Sequence, residues 1–429
     1  MTTKAFKIYR WAILITIAIL YFFVCLHRLS PTVIARDLVL SLQADAVTLG
    51  VIASSYFYLY AAMQPIVGYL SDTTGPRKVM ALLFFVSAAG SIIFALAPTA
   101  TIAVLGRLLI GAGLAGVFIP ALKIFSRWYP ANQFASLTGV MITIGGIGGL
   151  AAALPLTYLV VLLGWRGSFL AIGLLSAALA ILAWIIVRDS PEDKGWPVCT
   201  AEDRAILKPG QEIRLSKRLV TVFGNLDFCF LFFATFLIFG ASLTFQGLWA
   251  IPYLMDVFSL DRVRAGGMLM ALPLGFAIGG SSVGFMIDKL NLNRRKTLLC
   301  GLGLSILMWL LLIFLKEREH LVIVVPLFFF FGLITGGSLP LSFAITRDLF
   351  PSWLMGTATG LMNTASFFGS AVYMPLTGFL LNSAIPTGAG SYSFDAYRKL
   401  LIVFLLSYAV AFVAMALLSK RKDSPAPTT

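Results

Sequence analysis

Charge is what this chain has least of: 12% of its 429 residues are Asp, Glu, Lys or Arg, while 59% are hydrophobic. Soluble domains devote about a quarter of their residues to charge, so a water-soluble globular fold is excluded. Negative charge is the scarcer sign, with 18 acidic residues against 32 basic ones, and there are two histidines. Four cysteines, Cys25, Cys199, Cys229 and Cys300, are too few and too scattered for a disulfide framework or a thiolate metal site. No His-Glu-x-x-His, Ser-His-Asp arrangement, nucleotide loop or pair of carboxylates within an apolar run is present. The chain therefore reads as a non-enzyme without a cofactor, and Gly111-Ala-Gly113 and Gly336-Gly337, in apolar context, read as helix-packing glycines and not phosphate cradles.

What is there is a series of apolar runs of about 20 residues, the length of a membrane-spanning helix. An outer-membrane strand would alternate over about ten residues, and backbone polarity leaves helices as the other way to cross lipid. Twelve spans are predicted, at 11–32, 47–70, 79–98, 102–124, 136–160, 165–187, 222–255, 264–287, 297–315, 321–345, 353–382 and 398–419. The fold class is an all-α polytopic membrane protein. The first run follows Lys4, Lys7 and Arg10 and imitates a signal peptide, but it lacks a small-residue cleavage site and carries His27 and Arg28. It reads as a retained first helix.

The net charge of +14 gains its meaning from position. On these spans 21 of the 32 Lys and Arg residues fall in the N-terminus, the even-numbered loops and the tail. The positive-inside rule then places both termini and the central loop in the cytoplasm, and the basic excess sets topology instead of recruiting nucleic acid. Compact loops fit residence in a bacterial cytoplasmic (inner) membrane, with membrane lipid as the surrounding partner. The polar stretch 188–219 divides the spans six and six, giving an N-terminal bundle at 1–187, a linker, a C-terminal bundle at 220–420 and a disordered tail at 421–429. Glycines concentrate in the fifth span (Gly139, Gly145, Gly146, Gly148, Gly149) and the eighth (Gly266, Gly267, Gly275, Gly279, Gly280, Gly284), where they serve close helix packing or gating.

One segment recurs across the midpoint. Gly68-Tyr-Leu-Ser-Asp72-Thr-Thr-Gly75-Pro-Arg77-Lys78 returns as Gly284-Phe-Met-Ile-Asp288, followed by Arg294-Arg295-Lys296. The first copy resembles the signature between helices two and three of the major facilitator superfamily, and Arg107-Leu-Leu-Ile-Gly111-Ala-Gly113 is similar to its fourth-helix arginine motif. The resemblance covers about residues 10–420. It implies twelve helices in two six-helix bundles, the major facilitator fold, and secondary active transport by alternating access between the halves. A functional monomer is sufficient for that architecture.

Tyr21-x5-His27-Arg28 and Pro120-Ala-Leu-Lys123-x3-Arg127-Trp128-Tyr129-Pro130 resemble the branch that handles organic anions, including sugar acids and sugar phosphates. Phosphate-ester exchangers of that branch pair an arginine in helix one with another in helix seven. Arg28 matches the first, whereas Phe230 through Tyr253 contains no Lys or Arg. The expected substrate is consequently a small organic anion with a single carboxylate, such as a sugar acid. Proton-coupled efflux of amphiphilic compounds is the alternative, less supported because the fifth helix lacks a clean Gly-Pro doublet.

Arg28 suits a bidentate carboxylate, or else snorkels to the outer interface. Tyr56, Tyr60 and Gln64 recur at i, i+4 and i+8 on helix two and share one face, as cavity lining or as an aromatic ladder. Lys123 is a candidate anion contact near the cytoplasmic end of helix four. In the second half Gln246 and Asn363 are expected to orient substrate, with Ser242, Gln246 and Trp249 sharing a face at i, i+4 and i+7. His27 is a coupling group for a proton or a structural donor, and Arg107 serves ion coupling, helix packing or the membrane boundary. The helical cores hold almost no Asp or Glu, which leaves Asp37, if helix one is longer than drawn, as a further proton carrier. Asp72, Arg77, Asp288, Arg294 and Arg295 are expected as gate elements that hold the cytoplasmic ends together.

Overall fold

The computed structural model describes residues 4–196, 215–290, 292–350, 354–382 and 391–418, apart from a few side chains within the helices, and is helical throughout without a strand among the described residues. The first crossing is α1 (Lys4–Leu29) with α2 (Pro31–Leu42), the second α3 (Ala46–Thr73) and the third α4 (Pro76–Ala95). The fourth is α5 (Ala100–Leu114) with α6 (Phe118–Trp128); α7 (Ala131–Ala151) and α8 (Leu154–Ile186) supply the fifth and sixth. After the short α9 (Leu215–Phe223), the seventh crossing is α10 (Leu226–Thr244), a π turn (Phe245–Trp249) and α11 (Ala250–Val257). The eighth is α12 (Arg262–Leu269) with α13 (Ala271–Leu290); α14 (Arg294–Leu312), α15 (Leu321–Leu349), α16 (Met355–Asn382) and α17 (Phe394–Ala416) complete the twelve.

Eleven helices are long and apolar enough to span a membrane, and the shorter apolar helix Leu137–Ala151 makes the twelfth crossing. The fifth and sixth run together in α8 except at Gly164, whose φ of 68° breaks the helix where a side chain would be strained. The first crossing is longer than its apolar run. Ser30 keeps helical dihedrals and its Oγ donates to the His27 carbonyl at 3.0 Å, while Pro31 sits in the first turn of α2, where its missing N–H costs nothing. Helix therefore continues to Leu42, fourteen residues and about 21 Å beyond Arg28.

Helix pairing repeats with an offset of six crossings. The pairs α1–α7, α3–α5 and α4–α8 in the first half match α10–α16, α13–α15 and α14–α17 in the second. Glycine sets the closest of these: Gly275 and Gly279 lie against the backbone of Phe329 and Leu333, and Gly332 and Gly336 return the contact on Leu272 and Phe276. In α7, Gly145 and Gly148 receive Tyr21 and Phe22 of α1, while Gly146 faces Ala277 across the interface between the halves.

The face that carries the start of α1 and the end of α17 is called the terminal face, and the opposite one the far face. The halves meet from mid-membrane to the far face through α3–α16 and α7–α13. Gly378 abuts Ala46 and Val47, Gly50 abuts Met374 and Pro375, and the Tyr58 hydroxyl donates to the Ala371 carbonyl at 2.8 Å. Asp45 caps α3 by accepting from the Thr48 N–H, and these hydrogen bonds hold its carboxyl below the ordinary range. Along α3 burial gives way to exposure: Leu49, Ala53, Tyr56 and Tyr60 are buried, whereas Ala62, Pro65, Ile66 and Tyr69 are exposed. The cleft between the halves thus opens toward the terminal face.

On that face Phe6 and Tyr9 of α1 pack with Trp128 and Trp196, and the Tyr9 hydroxyl and Trp128 Nε1 donate to the Ile186 and Arg188 carbonyls. The start of the segment between the halves is fastened to the first half.

Gly279→Val would force α13 off α15, an overpacking cost of about 1–3 kcal/mol. The expected outcome is a clear drop in the thermal unfolding midpoint of the detergent-solubilised protein, while Gly139→Ala, where a Cβ meets open space, leaves it unmoved.

Candidate functional site

At mid-depth, where α1, α3, α5 and α16 converge, lie two guanidinium groups with no carboxylate beside either among the described residues. The electrostatic neighbours of Arg28 are Tyr21, Cys25, Tyr56 and Tyr60. Its guanidinium carbon stands 5.5 Å from the Tyr60 ring and 4.6 Å from the ring of Phe367, which belongs to the other half. Its Nε is buried without a hydrogen-bond partner. Arg107 is fully buried; Nη1 donates to the His27 carbonyl at 3.0 Å, Nε and Nη2 have no partner, and the group lies 5.1 Å from the Tyr56 ring.

The local sequence explains why these groups meet. The i, i+4 spacing on α3 stacks Tyr56 on Tyr60 with ring centroids 5.5 Å apart, and Gln64 follows a turn later against the Tyr60 hydroxyl. Gly111 allows α5 to touch the Tyr56 backbone, which carries Arg107 beneath that ring. Tyr56 thereby stands as a wall between the two positive groups, its hydroxyl 3.4 Å from the Val24 carbonyl. His27 points away from Arg28; its ring lies 5.9 Å from Phe169, fully buried, with both nitrogens unpartnered. A charge in this setting costs several kcal/mol unless water, protein dipoles or an anion meets it.

Other expected residues lie elsewhere. Lys123 donates from Nζ to the Ser71 carbonyl at 2.8 Å, at the terminal-face end of α3 and apart from the Arg28 cluster. Asn363 is half-buried on α16, one turn toward the terminal face from Phe367. Gln246 is buried in the π turn, next to Gly247, which packs on Leu29 and the Arg28 carbonyl. The expected common face of Ser242, Gln246 and Trp249 is broken by that turn. Ser242 Oγ pairs with the Tyr408 hydroxyl at 2.5 Å and Trp249 Nε1 donates to Thr377 Oγ1 at 2.8 Å, both inside the second half.

Among the gate residues, Arg77 donates to the Trp184 carbonyl at 2.7 Å, and its backbone N–H to Asp189, within the first half. Arg294 pairs with Asp348 at 2.6 Å, and Arg295 donates to the Met415 and Ala416 carbonyls, within the second. The side chains of Asp72 and Asp288 lie outside the described residues.

The family model described as Major Facilitator Superfamily matches residues 12–372 and, again, 231–429. The chain belongs to the Major Facilitator Superfamily. It is a multi-pass membrane transporter and not an enzyme, and its relatives fall in the branch for organic anions, sugar acids and sugar phosphates. It is 27% identical to the "Probable sulfoacetate transporter SauU" of Cupriavidus necator, covering 87% of each chain. The "Hexuronate transporter" of Bacillus subtilis is 27% identical over 80% of this chain and 81% of the relative. The "Probable hexose phosphate transport protein" of Chlamydia trachomatis is 24% identical over 86% and 85%. In fold it matches a bacterial homolog to human lysosomal transporter Spinster, solved in an inward-facing and occupied conformation. That match has a TM-score of 0.78 and 15% identity, over 98% and 99% of the two chains.

In this transporter the far-face seal is ionic. Arg36 of α2 pairs with Asp256 of α11, a carboxylate that also accepts from the Tyr397 hydroxyl at 2.7 Å and the Tyr392 N–H at 3.0 Å. Beside it Arg262 pairs with Asp37 at 2.7 Å. Both bridges join the two halves, and the Thr32 hydroxyl adds a third link by accepting the Ile251 N–H. Sequence reasoning missed Arg36, Asp256 and Arg262 because the apolar run of helix one ends at residue 32; Asp37, which it left open as one proton carrier among others if helix one ran longer, lies on that longer helix and is paired with Arg262. An acid and a base in matching positions at the far ends of helices one and seven were the available signal. Phe367 gave a weaker one: it stands at i+4 from Asn363, on the helix face already expected to meet substrate, with Thr364, Ser366 and Ser370 around it.

Breaking the seal has a measurable expectation. Removing one partner of a buried pair leaves an uncompensated charge and costs several kcal/mol, so Asp256→Asn should part the halves at the far face. In a background without the native cysteines, Ala35→Cys, buried beside the bridge, is expected to react with maleimide at least about tenfold faster in detergent when Asp256→Asn is added.

Proposed function

We propose that this protein is a secondary active transporter for a small organic anion carrying one carboxylate or sulfonate group, working by alternating access. The observation that carries the reading is the pair of guanidinium groups, the half-buried Arg28 and the fully buried Arg107, without a carboxylate counter-charge among their described neighbours. A cleft with that field attracts anions and repels the amphiphilic cations an efflux pump would take.

Arg28 is the anion ligand. Its planar fork matches a bidentate carboxylate, and Tyr60 and Gln64 stand beside it to orient the substrate. Tyr56 shapes the wall behind. Gln246 and Asn363 supply the polar surface of the second half, and Lys123, at the mouth of the cleft, draws the anion inward. The seventh crossing offers no second arginine, which favours a singly charged head over a phosphate dianion. Hexuronate, named for one of the relatives, fits that chemistry with its single carboxylate, whereas sulfoacetate, named for another, carries a sulfonate and a carboxylate and so adds a second singly charged head.

The basic terminal face is the cytoplasmic one, so the structure is the inward-facing state of a protein of the bacterial cytoplasmic membrane, with both termini inside. Arg77, Arg294 and Arg295, bonded here within their own halves, are the released gate; in the outward-facing state they and the two aspartates Asp72 and Asp288 tie the cytoplasmic ends together. His27, the titratable ring next to the site, is the candidate for proton coupling, and Arg107 fixes its backbone. A monomer contains the whole pathway.

Counterflow in proteoliposomes tests the reading with glucuronate, sulfoacetate, glucose 6-phosphate and an amphiphilic cation in turn. Saturable exchange of a monoanion is expected, reduced at least about a hundredfold by Arg28→Ala, the loss of one buried charge-assisted contact. Cation exchange, or anion exchange indifferent to Arg28, would overturn it.

A further inference from the structure

A carrier that holds at its centre a guanidinium with no carboxylate beside it among the described residues has difficulty moving when empty. With an anion bound, the charge is met and the halves can close over it; without one, closing the cleft strips water from Arg28 and offers no counter-charge in return. Such a transporter would exchange anions one for one and would not carry net flux. The structure contains a second partner for the charge. The Phe367 ring on α16 lies 4.6 Å from the Arg28 guanidinium carbon and comes from the half opposite to the arginine. It is 7% exposed and is held edge-on by Tyr60 at 4.9 Å and parallel to Phe57 at 6.3 Å. Tyr60 also faces the charge, but it travels with the arginine's own half in every state. Phe367 alone of these rings is presented from the far side of the cleft, on the α3–α16 contact about which the halves meet.

We propose that Phe367 is the residue that lets the empty carrier reorient, by covering the Arg28 charge with its ring face when no anion does. The contact is a cation–π interaction across the interface between the halves, strengthened by the absence of water. The loaded carrier crosses with Arg28 paired to substrate and the empty carrier crosses with Arg28 paired to Phe367. The protein is therefore built for net transport. This inference rests on Arg28 being the anion ligand, and it adds what happens on the return half of the cycle.

Two assays on the same reconstituted protein separate the steps. Net uptake into substrate-free vesicles requires the empty carrier to return, whereas counterflow into preloaded vesicles does not. Using labelled glucuronate or sulfoacetate, whichever supports counterflow, Phe367→Leu is expected to lower net uptake at least about tenfold more than it lowers counterflow. Phe367→Tyr, which keeps the ring face, should hold the ratio of the two rates within about threefold of wild type. Net uptake and counterflow falling together in Phe367→Leu, a ratio left unaltered by it, or a wild type with no net uptake would each overturn the proposal. Counterflow that survives Arg28→Ala would instead refute the binding site, independently of the Phe367 ratio.

Discussion

Everything in this molecule is arranged around one electrostatic constraint: positive charge held at mid-membrane without negative charge to meet it. In a medium of low dielectric such a group is costly unless dipoles, π faces, water or a ligand answers it. Arg107 is answered in part by a backbone carbonyl and a tyrosine face, and Arg28 by two aromatic faces and an open cleft. On the proposed function, the remaining deficit is the binding energy available to an anion. Twelve helices supply the walls that keep the deficit from being erased by bulk water, and the division into halves lets each side of the membrane reach it in turn.

The acidic residues that a soluble protein would place near such charges have been sent to the periphery. Asp37 and Asp256 work at the far-face seal, Asp189 binds the Arg77 backbone, and Asp348 takes Arg294. The distribution separates two tasks. The far-face pairs join the halves in this state, the terminal-face pairs lie within single halves, and on the proposed function the charge in the middle selects cargo. A carboxylate placed beside Arg28 would compete with the substrate; the same carboxylate at the rim competes only with the opposite conformation.

Much of the fold could be read from the chain itself because lipid enforces a simple rule: long apolar runs become helices. The twelve crossings, the glycine-lined helices and the Tyr56–Tyr60 pair follow from length, spacing and residue size. The site was readable as far as it lay on regular helix, with Arg28, Tyr56, Tyr60 and Gln64 converging as their spacing implied. Reading failed where helix continued past its apolar run, hiding Arg36 from Asp256, and where partners come from distant crossings, as Phe367 does for Arg28. Lys123 shows the third kind of limit: a basic residue of the fourth crossing meets a backbone carbonyl of the second, which no local pattern announces.

The π turn at Phe245–Trp249 has a consequence for how the seventh crossing can change. One surplus residue sits in a single wide turn, so the segment before it and the segment after it are clocked separately. Upstream, Ser242 is phased to Tyr408; downstream, Trp249 is phased to Thr377; between them Gly247 lies against the first crossing. Regularising the turn to α-helical hydrogen bonds at constant chain length would rotate one segment by about 100° relative to the other, whereas deleting one residue there would restore an unbroken α-helix with both segments still in their present phase. The turn is thus a phase joint: switching it between π and α hydrogen bonding, at constant chain length, re-aims one segment of the seventh crossing against the other without a single side-chain substitution.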